Sequence, residues 1–299
     1  MAIAHEFDYV RPQSLNEALR LKDQYREQAL VLAGGTDLVA HLREGQIQPK
    51  VLIDIKDIHQ LYKLELGEGT LTVGAGVTFS TLISEPMVKD WYPILLDASR
   101  TVASVGIRNR ATLVGNICSA IPSMDSAPAL LCHEAEVWCH SVEGQRRVPI
   151  EQWFMGPRKT ALRPNEIVSS ITMNVLSHTY TGIYLKLGRY GGEDLAQAGW
   201  GIVMNDKHLY RIAHCALAPI PKRARQIEAL LNGKELSDEL IQQAMELVPE
   251  EITPITDIRS TSAYRLHISK VMLKRGLWAA RERLNGKEVD ARALLGGIK

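Results

Sequence analysis

Three stretches of this 299-residue sequence combine residue types and spacing suited to binding chemistry. The first is Leu32-Ala-Gly-Gly-Thr-Asp-Leu38, in which Gly34 and Gly35 stand between an apolar run and a helical spacing. Backbone N–H groups of such a turn converge on one point and bind a pyrophosphate without needing a cation; Thr36 adds a hydroxyl donor. A plain strand–helix turn without ligand is the other reading, because glycine is favoured in any such turn. The second stretch, Ile107 to Pro128, is long and polar. It offers the hydroxyls of Thr112, Ser119 and Ser123, the Asn116 amide, the Asp125 carboxylate and Gly115 for close backbone approach, a set suited to a polyol chain and phosphates. Long ordered loops tend to be functional, although an ordinary surface loop has the same composition. The third runs from Tyr184 to Asp194. In a strand over Gly182 to Leu187, Lys186 faces away from Leu185 and Leu187, where a cation neutralises charge developing on a reduced cofactor. The competing reading is a solvated lysine with Arg189 and Asp194 paired nearby.

Other chemistries find less support. Neither the Gly-x-Gly-x-x-Gly fingerprint nor the Gly-x4-Gly-Lys-Ser/Thr loop is present at the first stretch. Cys132-His133 and Cys139-His140 imitate a metal cluster, but no Cys-x2-Cys element accompanies them, and strand alternation splits neighbours between faces. The cysteine intervals match no iron–sulfur spacing. No Gly-x-Ser-x-Gly elbow and no His-Glu-x-x-His supports hydrolysis.

The elements that must position these stretches read as α+β. Pro12 to Leu19 starts a helix with Ser14 as N-cap and Glu17 as its capping-box partner. Ala29 to Ala33 and Val51 to Ile55 read as strands flanking a helical Leu38, Val39 and Leu42. Thr70 to Gly76 reads as a strand, Thr81 to Lys89 and Pro93 to Ser104 as helices, Val105 to Met124 as a glycine-containing loop, and Glu136 to Val142 as a strand. Beyond a boundary near Ser177-His178-Thr179, strands at Gly182 to Leu187, Ala198 to Met204 and Leu209 to Leu217 precede helices at Arg223 to Leu231, Ser237 to Val248 and Tyr264 to Leu284. Strands first and helices later argue against a doubly wound sheet. The division is a first domain over 1–177, with subdomains of about 1–57 and 58–177, and a second over 178–299.

Composition narrows the class. Hydrophobic residues make up 45% and charged residues 23%, with a net charge of +1, so no global field attracts nucleic acid. The segment starting at Met1 lacks the pattern of a signal peptide, no apolar run reaches membrane-spanning length, and four cysteines make no dense disulfide framework. These features lead to the expectation of a cytoplasmic protein. Eight basic residues and one acidic residue lie between Arg259 and Lys287; an amphipathic helix packing one face on its own domain accounts for them without a nucleic-acid partner.

Taken in order, Leu32 to Leu38, Ile107-Arg-Asn-Arg-Ala-Thr-Leu-Val-Gly-Asn-Ile-Cys118, Asp125-Ser-Ala-Pro128, Gly156-Pro-Arg-Lys-Thr160, Asn165-Glu-Ile-Val168, Lys186 and Ala218-Pro-Ile-Pro221 make the whole chain resemble the FAD-binding (medium) subunit of the molybdenum hydroxylases, the xanthine dehydrogenase and carbon monoxide dehydrogenase group. The resemblance implies a vanillyl-alcohol-oxidase (p-cresol methylhydroxylase) type fold. It has two FAD-binding α/β subdomains followed by a C-terminal domain with a small antiparallel sheet and helices. It further implies that FAD is held by the loop Leu32, Ala33, Gly34, Gly35, Thr36, Asp37 and Leu38, with pyrophosphate on the backbone of Ala33 to Asp37. Thr112, Gly115 and Asn116 correspond to a second phosphate- and ribityl-facing loop, Asp125 to a position bonded to FAD, and Val168 and Lys186 to positions beside the flavin ring. One departure stands out: where the family has Gly-Gly-Asn, this chain has Val114-Gly115-Asn116, and valine disfavours positive φ and crowds a close ligand. No loop histidine suits covalent attachment, so the expected FAD is non-covalent.

By the same resemblance the chain is an electron-transfer subunit with no catalytic acid, base or metal ligand of its own. A molybdopterin-containing large subunit hydroxylates a substrate such as a purine or other N-heterocycle. A small subunit with 2Fe-2S clusters passes electrons to the FAD, and NAD or another acceptor takes them. The alternatives are a self-sufficient FAD oxidase or dehydrogenase, and a flavin-free structural subunit.

Overall fold

The computed structural model describes residues 3–190 and 193–295; Met1, and Gly191 and Gly192 of the third stretch, lie outside the described residues. The chain opens with β1 (Asp8–Val10), α1 (Leu15–Tyr25), β2 (Ala29–Leu32), α2 (Leu38–Arg43) and β3 (Val51–Asp54). Ser14 caps α1 by accepting from the Glu17 N–H at 3.2 Å, and the Glu17 carboxylate in turn accepts from Gln13 N–H at 2.9 Å. These strands form a parallel sheet in the order β1-β3-β2, with β2 on an edge.

A five-stranded antiparallel sheet follows. Its members are β4 (Leu64–Gly67), β5 (Thr70–Gly74), β6 (Glu136–Ser141), β7 (Gly144–Pro149) and, further on, β10 (Ile167–Asn174), in the order β4-β5-β10-β6-β7. Between β5 and β6 run α3 (Phe79–Ser84), α4 (Pro86–Trp91), α5 (Pro93–Thr101), α6 (Val105–Arg108), α7 (Leu113–Ser119) and α8 (Ser126–Cys132). The helix expected from Thr81 to Lys89 is thus two helices, because Pro86 displaces Glu85 into an extended conformation and restarts the helix at its own position. The expected loop from Val105 to Met124 contains two helices. Ser104 and Thr112 cap them with side-chain oxygens, and Leu113, Val114 and Ile117 supply a buried face that polar neighbours obscure in the sequence. A small hairpin of β8 (Phe154–Gly156) and β9 (Lys159–Thr160) lies between β7 and β10.

The C-terminal part contains β11 (Tyr180–Leu187), β12 (Ala198–Asn205), β13 (Tyr210–Cys215) and β14 (Lys222–Arg223), an antiparallel sheet in sequential order. It is followed by α9 (Arg225–Leu231), α10 (Asp238–Glu251) and α11 (Ser262–Leu284), close to the expected helices, except that Arg223, expected to open the first of them, lies in β14. One face of this sheet packs Ile183, Leu185 and Ile212 with Met272, Leu273 and Leu277 of α11 in a second core. The opposite face brings Tyr184 and Cys215 into the first core, which extends from Ala18 to Met173. Close approach explains two glycines there. A Cβ on Gly182 would lie 2.9 Å from Ile94 Cβ, and one on Gly201 would lie 2.8 Å from Pro128 Cβ, so α5 and α8 rest directly on β11 and β12. Charges fasten the same boundary: Arg283 donates to Asp97 at 2.7 Å, and Glu134 receives Arg223 at 2.7 Å and Arg211 at 2.8 Å. The basic C-terminal helix therefore packs on its own sheet, with Arg265 and Arg283 engaged in ion pairs. None of the helices among the described residues is long and apolar enough to cross a membrane.

Two histidines of this interior set an acid limit. His133 and His214 are buried, each with one ring nitrogen bonded to a backbone carbonyl and the other without a partner. Burial lowers both pKa values from 6.5 to about 4. Between those values the unfolded chain binds protons that the native chain refuses, so stability falls as pH drops, by about 2 kcal/mol per histidine at pH 5. Urea unfolding at pH 7 and pH 5 checks this: the midpoint falls in acid, and an unchanged midpoint contradicts the assignment of two neutral buried rings.

Candidate functional site

Strand β2 delivers the first stretch to its place. Leu32 pairs with Asp54, its carbonyl accepts from Ile55 N–H at 3.1 Å, and the chain then leaves the sheet. A Cβ at Gly34 would sit 2.0 Å from the Arg110 carbonyl oxygen, so only glycine lets the loop lie against that strand of chain. Gly35 has φ +76°, a conformation that side chains disfavour. The turn exposes a run of donors: among the described residues, no group accepts the backbone N–H of Ala33, Gly34, Gly35, Thr36, Asp37 or Leu38. Orphan N–H groups in sequence make an anion nest. The Asp37 carboxylate is held to one side by the Ser119 hydroxyl, which donates to it at 2.6 Å.

The second stretch is anchored before it reaches the loop. Phe79 N–H donates to Ala111 carbonyl at 3.0 Å and Leu113 N–H to Val77 carbonyl at 3.3 Å, pinning the start of α7 to the segment that joins β5 to α3. The indole N–H of buried Trp153 donates to Ile117 carbonyl at 2.9 Å and secures its other end. Thr112 accepts from Gly115 N–H at 3.0 Å, so its hydroxyl oxygen acts as a helix cap. Asn116 accepts the Ser126 hydroxyl at 2.6 Å on its side-chain oxygen, which directs its amide group by elimination to other acceptors. Val114 lies inside the helix, where its φ is ordinary; its side chain packs in the first core while bordering the cavity described below.

The third stretch meets the second at a buried ion pair. Lys186 donates to Asp125 at 2.8 Å and to the Thr101 carbonyl at 2.9 Å, and the Tyr184 hydroxyl donates to the other Asp125 oxygen at 2.7 Å. With side-chain exposures of 9% and 8%, the pair is far from a solvated surface contact. Burial raises the Asp125 carboxyl pKa, and Lys186 and Tyr184 oppose that rise; burial also pushes the Tyr184 phenol well above its ordinary range. The lysine charge is therefore cancelled locally, leaving one ammonium N–H for a further acceptor. Arg189 and Asp194 do meet, but through the Arg189 backbone N–H rather than a side-chain ion pair.

One cavity of about 690 Å³ gathers these pieces, within the range of small-molecule and cofactor sites. Ala33, Gly34, Gly35, Thr36, Asp37, Leu38, Thr112, Gly115, Asn116, Asp125, Val168 and Lys186 all line it. Leu32 stands behind the wall, where its Cδ1 would lie 2.8 Å from a Cβ on Gly35. Val168 comes from β10, beside a bulge between Val168 and Ser170, and Lys186 from a different sheet. Lys22 and His41, which the sequence did not single out, also line the cavity, as do Cys118 and Arg158, which stand in the quoted motifs without an assigned site role. Lys22 had a signal: it shares the buried face of α1 with Ala18 and Leu19. Its ammonium donates to the carbonyls of Ala29 at 2.6 Å and Arg26 at 2.9 Å, and burial lowers its pKa to about 8. Cys118 opens onto the cavity from α7, and the surrounding walls raise its thiol pKa to about 12.

Residues 5–173 match the family described as "FAD binding domain in molybdopterin dehydrogenase", and residues 189–280 match "CO dehydrogenase flavoprotein C-terminal domain". The chain is 32% identical to the carbon monoxide dehydrogenase medium chain of Hydrogenophaga pseudoflava, over 93% of this chain and 98% of that one. It is 29% identical to the putative xanthine dehydrogenase FAD-binding subunit of Escherichia coli K12, over 93% and 97%. A solved structure of the Hydrogenophaga pseudoflava carbon monoxide dehydrogenase, which lacks the Mo-pyranopterin moiety of its cofactor, superposes with a TM-score of 0.90 over 95% of this chain and 99% of that one, at 32% identity.

Cys118 provides a probe of the cavity. The other three cysteines are buried, so a small thiol reagent labels Cys118 first, slowly at neutral pH because its thiol resists ionisation and faster at pH 9. FAD at saturating concentration suppresses the labelling, read by mass spectrometry; undiminished labelling contradicts a ligand lying along α7.

Proposed function

Since the chain belongs to the FAD-binding family of the molybdopterin dehydrogenases, we propose that it works as the electron-transfer subunit of a molybdenum-dependent hydroxylase or dehydrogenase, with non-covalent FAD in the cavity. The observation that carries this reading is the run of six backbone N–H groups from Ala33 to Leu38 on the cavity wall, none of them accepted among the described residues. They suit the pyrophosphate of a dinucleotide, and the cavity volume lies in the range of cofactor sites.

In this assignment Leu32 sets the loop from behind, and Ala33 to Leu38 take the pyrophosphate. Thr112 and Gly115 fix the helix that presents Asn116 to the ribityl or phosphate oxygens. Val168 supplies apolar contact, and the Asp125–Lys186 pair offers a carboxylate oxygen and one N–H without net charge. The 1–177 domain then holds the cofactor, and the 178–299 domain closes the wall with β11. Bound FAD supplies the exchange between one-electron and two-electron transfer, from an iron–sulfur partner to NAD or another acceptor. The chain's own part is to bind and orient the cofactor and to exclude water; no side chain is required as acid or base.

The hydroxylated substrate belongs to a partner subunit carrying the molybdenum cofactor. The relatives named for carbon monoxide and for xanthine differ in that respect; we assign a purine or other N-heterocycle from the likeness to the xanthine-type subunit. A cytoplasmic assembly with a large molybdopterin subunit and a small 2Fe-2S subunit follows from the same reading.

Gly35→Val in the assembled complex tests it. A β-branched side chain at φ +76° distorts the nest, so the complex loses FAD and NADH formation falls by about 100-fold. Substrate-driven bleaching of the iron–sulfur absorbance persists. NADH formation at the wild-type rate by a complex shown to lack FAD contradicts the proposed path.

A further inference from the structure

We infer that Arg158, on the turn between β8 and β9, is the cation that neutralises the pyrophosphate; the inference rests on the FAD reading above. A nest of backbone N–H groups offers only partial charges, whereas a pyrophosphate diester carries two full negative charges. The cavity wall adds carboxylates of its own at Asp37, Glu193 and Asp194. The nest can hold such an anion by itself, and a cation beside it adds the full charge that the N–H dipoles lack.

Among the described residues the wall presents three lysine or arginine side chains: Lys22, Lys186 and Arg158. Lys186 is cancelled by Asp125. Lys22 is tied to the carbonyls of Arg26, at the end of α1, and Ala29, at the start of β2, several residues before the loop. Arg158 is different. Among the described residues no carboxylate lies within ion-pair distance of it, and the partner that orients it is a neutral ring. Its guanidinium donates to His41 Nε2 at 2.9 Å, which leaves the His41 proton on Nδ1, where it donates to Gln46 at 2.5 Å. A guanidinium has five N–H donors in a fork that matches phosphate oxygens, and this contact occupies one of them.

Its position is fixed by backbone. Arg158 N–H donates to the Ala120 carbonyl at 2.8 Å, and both residues are left-handed, with φ +58° and +45°. Non-glycine residues in that region are held there by their surroundings at some cost, a pattern that accompanies binding sites. His41 belongs to α2 and follows Asp37 by about one helical turn, or about 5.4 Å of rise. The contact with His41 thereby brings the Arg158 charge to the helix that grows out of the nest.

Equilibrium titration of the flavin-free full chain with FAD, at about 50 mM and about 300 mM potassium chloride, tests the inference. The wild type binds more weakly at the higher salt. Arg158→Gln binds FAD about 10–100-fold more weakly and with a flatter salt dependence, and Arg158→Lys recovers the salt dependence by restoring the charge. Wild-type affinity in R158Q overturns the inference, as does a loss that keeps the full salt dependence, because packing rather than charge would then be responsible. A wild-type chain that binds no FAD at either salt overturns the FAD reading itself, and the role of Arg158 with it.

Discussion

A carboxylate buried at the junction of two cores must be paired, and Asp125 is paired from the other side of the junction. Its oxygens receive Lys186 and Tyr184, both on β11 of the C-terminal sheet, while Asp125 itself begins α8 of the first core. Removing one member would leave a buried charge without compensation, which typically costs about 3–5 kcal/mol. The pair therefore helps to fix how the C-terminal sheet meets the first core. It does so at the wall of the cavity, so the relative placement of the two parts and the shape of the site depend on the same hydrogen bonds. Gly182 and Gly201 permit the approach that these bonds need.

Much of this arrangement was legible in the sequence, for identifiable reasons. The C-terminal sheet and helices followed their periodicities closely, since β12 is buried on both faces and α10 and α11 have clear caps at Ser237 and Thr261. Lys186 was correctly separated from Leu185 and Leu187 by strand alternation, and the structure places the leucines in the second core. Leu32 to Leu38 was readable because two adjacent glycines between an apolar strand and a helix mark a tight turn with close backbone approach. The series of motifs identified the family, which neither composition nor periodicity could have done.

Other features were hidden. The polar residues of Ile107 to Pro128 suggested an irregular loop, yet Thr112 and Asn116 use side-chain hydrogen bonds to build and brace helices there. Strand β10, central in its sheet, has serines and a threonine at Ser169, Ser170 and Thr172 that masked its pattern. The ion pair of Asp125 with Lys186 joins residues 61 apart in sequence, and the contact of His41 with Arg158 joins residues 117 apart. Pairings over such separations depend on the assembled fold, so local spacing carries no trace of them. The backbone half of the departure at Val114 has a structural answer, because a position inside α7 needs no positive φ, while its side chain still borders the cavity.

The claim that this chain holds a non-covalent FAD is tested most directly by absorption spectroscopy after reconstitution. The full chain is incubated with FAD, desalted, and then precipitated with acid. Flavin bands that survive desalting and reappear in the acid supernatant are the expected result. A colourless protein after desalting would contradict a site complete within this chain, and flavin that stays with the acid pellet would contradict non-covalent attachment.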